Sequence, residues 1–99
     1  MPYRIDYSPD AEDHMRVLTA RQKAIVLDAV DDQLTYQPMV ETKNRKPMRP
    51  TPVAPWELRI GNLRVYYDVE EDPEPLVYIR AVGVKEGSRV RIGREVIDL

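Results

Sequence analysis

Cysteine is absent from the 99 residues, which excludes a disulfide framework, a thiolate zinc site and a cysteine nucleophile. The absence fits a reducing compartment, and the cytoplasm is the expected location. Histidine occurs once, at His14, so no imidazole cluster is available for a metal, and no metal or other cofactor is expected. None of the four glycines belongs to a loop of the kind that cradles phosphates. No run approaches the ~18 apolar residues of a membrane span, and the N-terminus carries no apolar signal-peptide core. A soluble chain without membrane attachment is the expectation.

What is present is enough for one compact domain, and residues 1–99 are read as a single unit. Apolar residues make up 42%, enough for a core, while charged residues reach 32%, above the usual quarter. The net charge of −2 argues against a nucleic-acid binder until its distribution is followed. Residues 1–41 hold four basic and eight acidic side chains, and residues 69–99 hold five and seven. Residues 42–68 hold six basic and two acidic, a basic middle that points to an anionic partner.

Tyr3-Arg4-Ile5-Asp6-Tyr7 alternates as a half-buried strand does. Ser8-Pro9-Asp10 reads as a helix start, and the spacing predicts a helix over 8–18 with Ala11, Met15 and Leu18 inward and His14 on its surface. Thr19-Ala20-Arg21-Gln22 is a capping-box pattern, and a second helix is predicted over 20–36. Its ridge is Val26, Val30 and Leu34, with Ala24 and Leu27 beside it. Residues 37–55 read as a basic loop, because Pro38, Pro47, Pro50, Pro52 and Pro55 remove donors and fix φ. Residues 56–60 and 63–69 alternate around Gly61-Asn62, a hairpin signal with glycine first as a type II′ turn wants. Residues 76–84 resemble a central strand, and 90–97 a short terminal hairpin. The predicted order is β-α-α-β-β-β with that terminal hairpin, an α+β fold with both helices on one face of a largely antiparallel sheet.

Hairpin register then places Arg59 opposite Arg64 and Glu57 opposite Tyr66. Leu58, Ile60, Leu63 and Val65 take the core face, leaving Glu57, Arg59, Arg64 and Tyr66 on the other. Two arginines directly across from one another cost stability unless acidic neighbours or an anionic ligand offset them. Tyr66 and Trp56 can stack on bases or serve packing.

Trp56-Glu-Leu-Arg-Ile-Gly-Asn-Leu-Arg-Val-Tyr-Tyr-Asp68, followed by Ala81-Val-Gly-Val-Lys85, resembles the signature of RelE/ParE toxins, the toxic partners of type II toxin–antitoxin modules. The resemblance implies a RelE-like fold and, in the RelE branch, a metal-independent endoribonuclease that cuts mRNA on the ribosome by 2′-OH attack. It assigns the catalytic work to Arg64, Lys85, Glu57 and Arg59, with Arg64 on the phosphate. Lys43, Arg45, Lys46, Arg49, Arg89 and Arg91 are the expected nucleic-acid contacts. Arg91 stands where many members carry a C-terminal aromatic. The implied partners are a cognate antitoxin, the ribosome and mRNA, with a homodimer or toxin–antitoxin hetero-oligomer as the assembly. Two alternatives stay open: a ParE-type toxin that binds DNA gyrase, and an attenuated module that mainly binds its antitoxin.

Overall fold

The computed structural model describes residues 2–49 and 53–98. Strand β1 (Arg4–Tyr7) is followed by helices α1 (Pro9–Arg16) and α2 (Ala20–Leu34). Six strands come next: β2 (Arg45–Pro47), β3 (Trp56–Ile60), β4 (Leu63–Glu70), β5 (Leu76–Glu86), β6 (Arg89–Ile92) and β7 (Glu95–Ile97). The α+β class, the two helices ahead of the main sheet and the mostly antiparallel sheet are as expected. The order differs: the stretch 37–55 is not loop throughout, because Arg45–Pro47 pairs antiparallel with Trp56–Leu58 as a short edge strand. Proline is tolerated there because it closes an edge strand and does not interrupt a central one.

Local chemistry sets the helix limits. Ser8 caps α1, its hydroxyl accepting from the Ala11 N–H, and Thr19 and Gln22 form the full reciprocal capping box of α2. Val26, Val30 and Leu34 are buried as the ridge requires, whereas Ala24 and Leu27 face outward, a wider ridge than the sheet can cover. A fully buried side chain of this kind contributes about 1.5–3 kcal/mol.

The strands run in the spatial order β2-β3-β4-β5-β6-β7, each antiparallel to its neighbour, while β1 pairs in parallel with β5. One edge of β5 is taken by β4. The other is divided: residues 76–79 pair with β1 and 83–86 with β6. The interval 80–82 has no strand there and is filled by side chains of the α1 region. The Ser8 hydroxyl donates to the Arg80 carbonyl (3.1 Å), and the Val82 N–H donates to His14 Nδ1 (3.3 Å). Opposite this gap the β4–β5 register slips, Tyr66 facing Ala81 and Tyr67 facing Ile79, so Arg80 is the extra residue of a bulge.

His14 is therefore not the surface residue that the sequence suggested. It is half-buried, and its ring lies against Gly93, where a β-carbon would come within 2.9 Å of it. Accepting from Val82 requires a neutral Nδ1. Burial holds His14 below its ordinary value of 6.5, against the opposing pull of Asp10, Asp13 and Glu95. The folded form thus binds a proton less readily than the unfolded chain. Its contribution is fully present above pH ~6.5 and is lost as pH falls through the lowered folded value. Melting temperatures measured from pH 7.5 down to 5 should fall, and His14→Gln should flatten that slope. An unchanged slope in the variant would remove His14 from the account.

Two apolar layers flank the sheet. The larger joins α1 and α2 to Leu58, Leu63, Val65, Tyr67, Val77, Ile79, Val82 and Val84. The smaller lies on the opposite face, where Ala54, Tyr66, Ala81, Val90 and Ile92 pack with Met48, Val53 and Ile97. Gly83 makes the second layer possible: a β-carbon there would lie 2.7 Å from Val90 Cγ1 and 2.8 Å from the Arg91 carbonyl oxygen. Gly83→Ala forces backbone to move and should destabilise by about 1–3 kcal/mol, read as a shift of the urea midpoint.

Candidate functional site

The register sets two transverse rows on the face away from the helices. In the first, Lys46 of β2, Glu57 of β3, Tyr66 of β4 and Ala81 of β5 lie side by side. In the second, Arg59, Arg64 and Gly83 do the same, with Ile92 of β6 beyond. The expected opposition of Arg59 to Arg64 is present. The chain avoids the repulsion by turning the two guanidiniums apart. Arg59 Nε donates to Glu57 Oε1 at 2.6 Å, and Arg64 Nη1 donates to the Gly61 and Leu63 carbonyls at 2.7 and 2.8 Å.

Arg64 faces the non-helix side as its register requires, but it is buried there. It is only 8% accessible and stitches the hairpin turn, whose first residue, Gly61, takes φ +58°. Glycine enters that left-handed region without strain. Removing Arg64 leaves two carbonyls without their donor, so its loss costs stability and does not relieve a clash. Arg59, with about half its side chain exposed, is the arginine positioned to meet a ligand. Lys85 is exposed on the same face at the hairpin end, its backbone N–H donating to the Asn62 carbonyl at 2.7 Å.

The wider basic set divides. Lys46 joins the first row directly opposite Glu57 and reaches Glu41 at 3.9 Å. Lys43 and Arg49 are exposed on the segments flanking β2. Arg45 is spent inside the molecule: Nη1 donates to the Gln33 carbonyl at 2.6 Å and Nε to the Val40 carbonyl at 3.0 Å. The last turn of α2 has no basic residue of its own, and Arg45 supplies that charge and those donors from 11 positions beyond Leu34. Arg89 and Arg91 alternate with Val90 and Ile92, which belong to the second layer, so both arginines project towards the helix side. Arg91 there pairs with Glu86 and Arg89 with Asp98. Neither joins the Glu57 cluster.

The aromatics also separate. Trp56 stacks on Tyr67 (6.1 Å between centroids, 19° between planes) on the helix side, a packing role. Tyr67 donates its hydroxyl to the Pro38 carbonyl at 2.6 Å. Tyr66 is fully buried on the other face, and among the described residues its hydroxyl makes no hydrogen bond of good geometry. Burial, then the adjacent Glu57 charge, push the Tyr66 phenol far above its usual range, so it stays protonated. Sequence pattern alone marked Tyr66 as facing this side but carried no signal that its hydroxyl would lack a partner. A separate open groove of about 770 Å³ lies between α1 and the β6–β7 hairpin, lined in part by Asp10, His14, Arg80 and Arg94. Among the described residues no helix is long and apolar enough to cross a membrane.

Two helices on one face of a largely antiparallel sheet make an α+β fold. A chain from the crystal structure of the toxin–antitoxin complex RelBE2 from Mycobacterium tuberculosis shares it, with a TM-score of 0.72 and 24% identity over 86% of this chain and 100% of that one. No protein-family model matches the sequence, and no curated protein does. The likeness shows the fold; the chemistry rests on the residues.

Proposed function

We propose that the chain is the toxin component of a type II toxin–antitoxin module and inhibits translation by cutting mRNA on the ribosome. The observation that carries this reading is the Glu57–Arg59 pair, a buried carboxylate bonded to a half-exposed guanidinium, on the sheet face of a RelE-like fold. In the proposed step Glu57 takes the proton of a ribose 2′-OH as that oxygen forms its bond to phosphorus. The bond from phosphorus to the 5′-oxygen breaks, and the leaving oxygen takes a proton from solvent. The products are a 2′,3′-cyclic phosphate and a 5′-hydroxyl. Arg59, with Lys85 and Lys46 around it, offsets the charge that builds on the phosphate. The antitoxin is the expected partner, held against the cationic face.

A gyrase-binding reading is favoured by one observation, the placement of Arg91 on the helix side, which leaves the Glu57 cluster without a C-terminal aromatic. Induction of the wild-type gene, with primer extension on host mRNA and a reporter of DNA damage, separates the two. Cleaved mRNA without DNA damage supports the nuclease. Intact mRNA with DNA damage overturns it in favour of gyrase.

A further inference from the structure

Glu57 and Tyr66 are direct cross-strand neighbours, and both are buried. The Glu57 carboxylate is satisfied by Arg59 at 2.6 Å, on a side chain about half exposed. Tyr66, next to it, holds a protonated hydroxyl close enough to feel the Glu57 carboxylate yet making no hydrogen bond of good geometry among the described residues. A buried donor beside a buried carboxylate, both on rigid strands, is an unfavourable arrangement for a structure that never uses it. The remaining charges around the pair do not resolve it. Lys46, on the far side of Glu57, is turned towards Glu41, and Arg64 is turned to the hairpin carbonyls.

We propose that Tyr66 is a positioning residue that takes over the Glu57 carboxylate when Arg59 swings away to bind a phosphodiester. The proposal rests on the nuclease reading for the identity of its ligand. Arg59 holds Glu57 through Nε–H alone, and a two-point Nε/Nη grip on a phosphate requires that Nε–H to leave Glu57. If it left without replacement, an uncompensated carboxylate would remain in the sheet, which resists its departure. The Tyr66 hydroxyl removes that resistance by donating to the carboxylate as Arg59 departs. The orphan hydroxyl of the ligand-free protein is the waiting half of that exchange.

The experiment follows the Arg59 Nε–H resonance by NMR while a 2′-O-methyl RNA hexanucleotide, which carries phosphodiesters but cannot be cut, is titrated into the full chain. In the wild type the resonance should move as Arg59 changes partner. In Tyr66→Phe the same movement should need about tenfold more RNA, with a melting temperature equal to or above wild type because the unpaired hydroxyl is gone. In a Glu57→Met background, which leaves Arg59 Nε–H no acceptor on that side chain, Tyr66→Phe should change the titration less than twofold. An unmoved Arg59 signal in the wild type, an unaltered titration in Tyr66→Phe, or an equal loss in both backgrounds each overturns the proposal. Cleavage of unmodified mRNA, scored separately, decides the nuclease reading, so a chain that binds through Arg59 without cutting would retain the exchange and lose that reading.

Discussion

Replacing Arg45 by methionine should lower stability by about 3 kcal/mol, although the residue lies in the proline-rich basic stretch where substitutions look harmless. Two charge-assisted hydrogen bonds to carbonyls disappear, each contributing about 1.5–3 kcal/mol, offset in part by hydration of the vacated oxygens. The guanidinium also faces the negative end of α2, an interaction of up to ~2 kcal/mol in partly buried settings. For a domain of this size the loss corresponds to a drop of about 12–24 °C in melting temperature. Arg45→Lys should recover only part of it, since an ammonium cannot span two carbonyls as a fork does. A melting temperature within 2–3 °C of wild type, on a scale of ~4–8 °C per kcal/mol, would show that the helix end is held by other means.

Arg59→Ala should abolish growth arrest on induction and reduce RNA cleavage by about 10²–10³-fold, the usual consequence of deleting a donor that meets developing charge. The same change removes the charged partner of the Glu57 carboxylate, so stability also falls, by less than the ~3–5 kcal/mol typical of a fully buried pair because Arg59 is half exposed and the Tyr66 hydroxyl stands ready to donate in its place. The double variant Glu57→Gln with Arg59→Ala separates the two effects. It should regain the wild-type melting temperature and remain inactive. Full growth arrest in Arg59→Ala at normal expression would remove the sheet face as the working surface.

Much of the fold was legible because its determinants are local. The Ser8 and Thr19 caps, the Val26-Val30-Leu34 ridge and the Gly61-Asn62 turn each depend on residues within a few positions of one another. Register did the rest for the site: once the turn was placed, Glu57, Arg59, Arg64 and Tyr66 had to share a face. What escaped the sequence was where long side chains end. Arg45 and Arg64 look like any cations in a basic stretch, and only tertiary structure brings the Gln33 carbonyl to one and folds the other back on its own turn. Pairing of β2 was hidden by the prolines of this stretch, of which Pro47 closes an edge strand that permits it. The facing of Arg89 and Arg91 depended on which side of β6 joined the second layer, which nothing within Val90-Arg91-Ile92 decides alone.

The parallel pairing of β1 with β5 joins Arg4 to Leu76, 72 positions apart. During synthesis, at ~5–20 residues per second, β1 leaves the ribosome roughly 4–14 s before its partner. The β3–β4 hairpin has that interval to itself, needing only neighbours already made, whereas α1 packs chiefly against β5 and waits for it. Neither row of the sheet face is complete until β5 arrives to set Ala81 and Gly83 beside Tyr66 and Arg64. The nascent chain therefore passes most of its birth with β1 unpaired and α1 without the strand it packs on, and the cationic hairpin exists before the sheet that backs it.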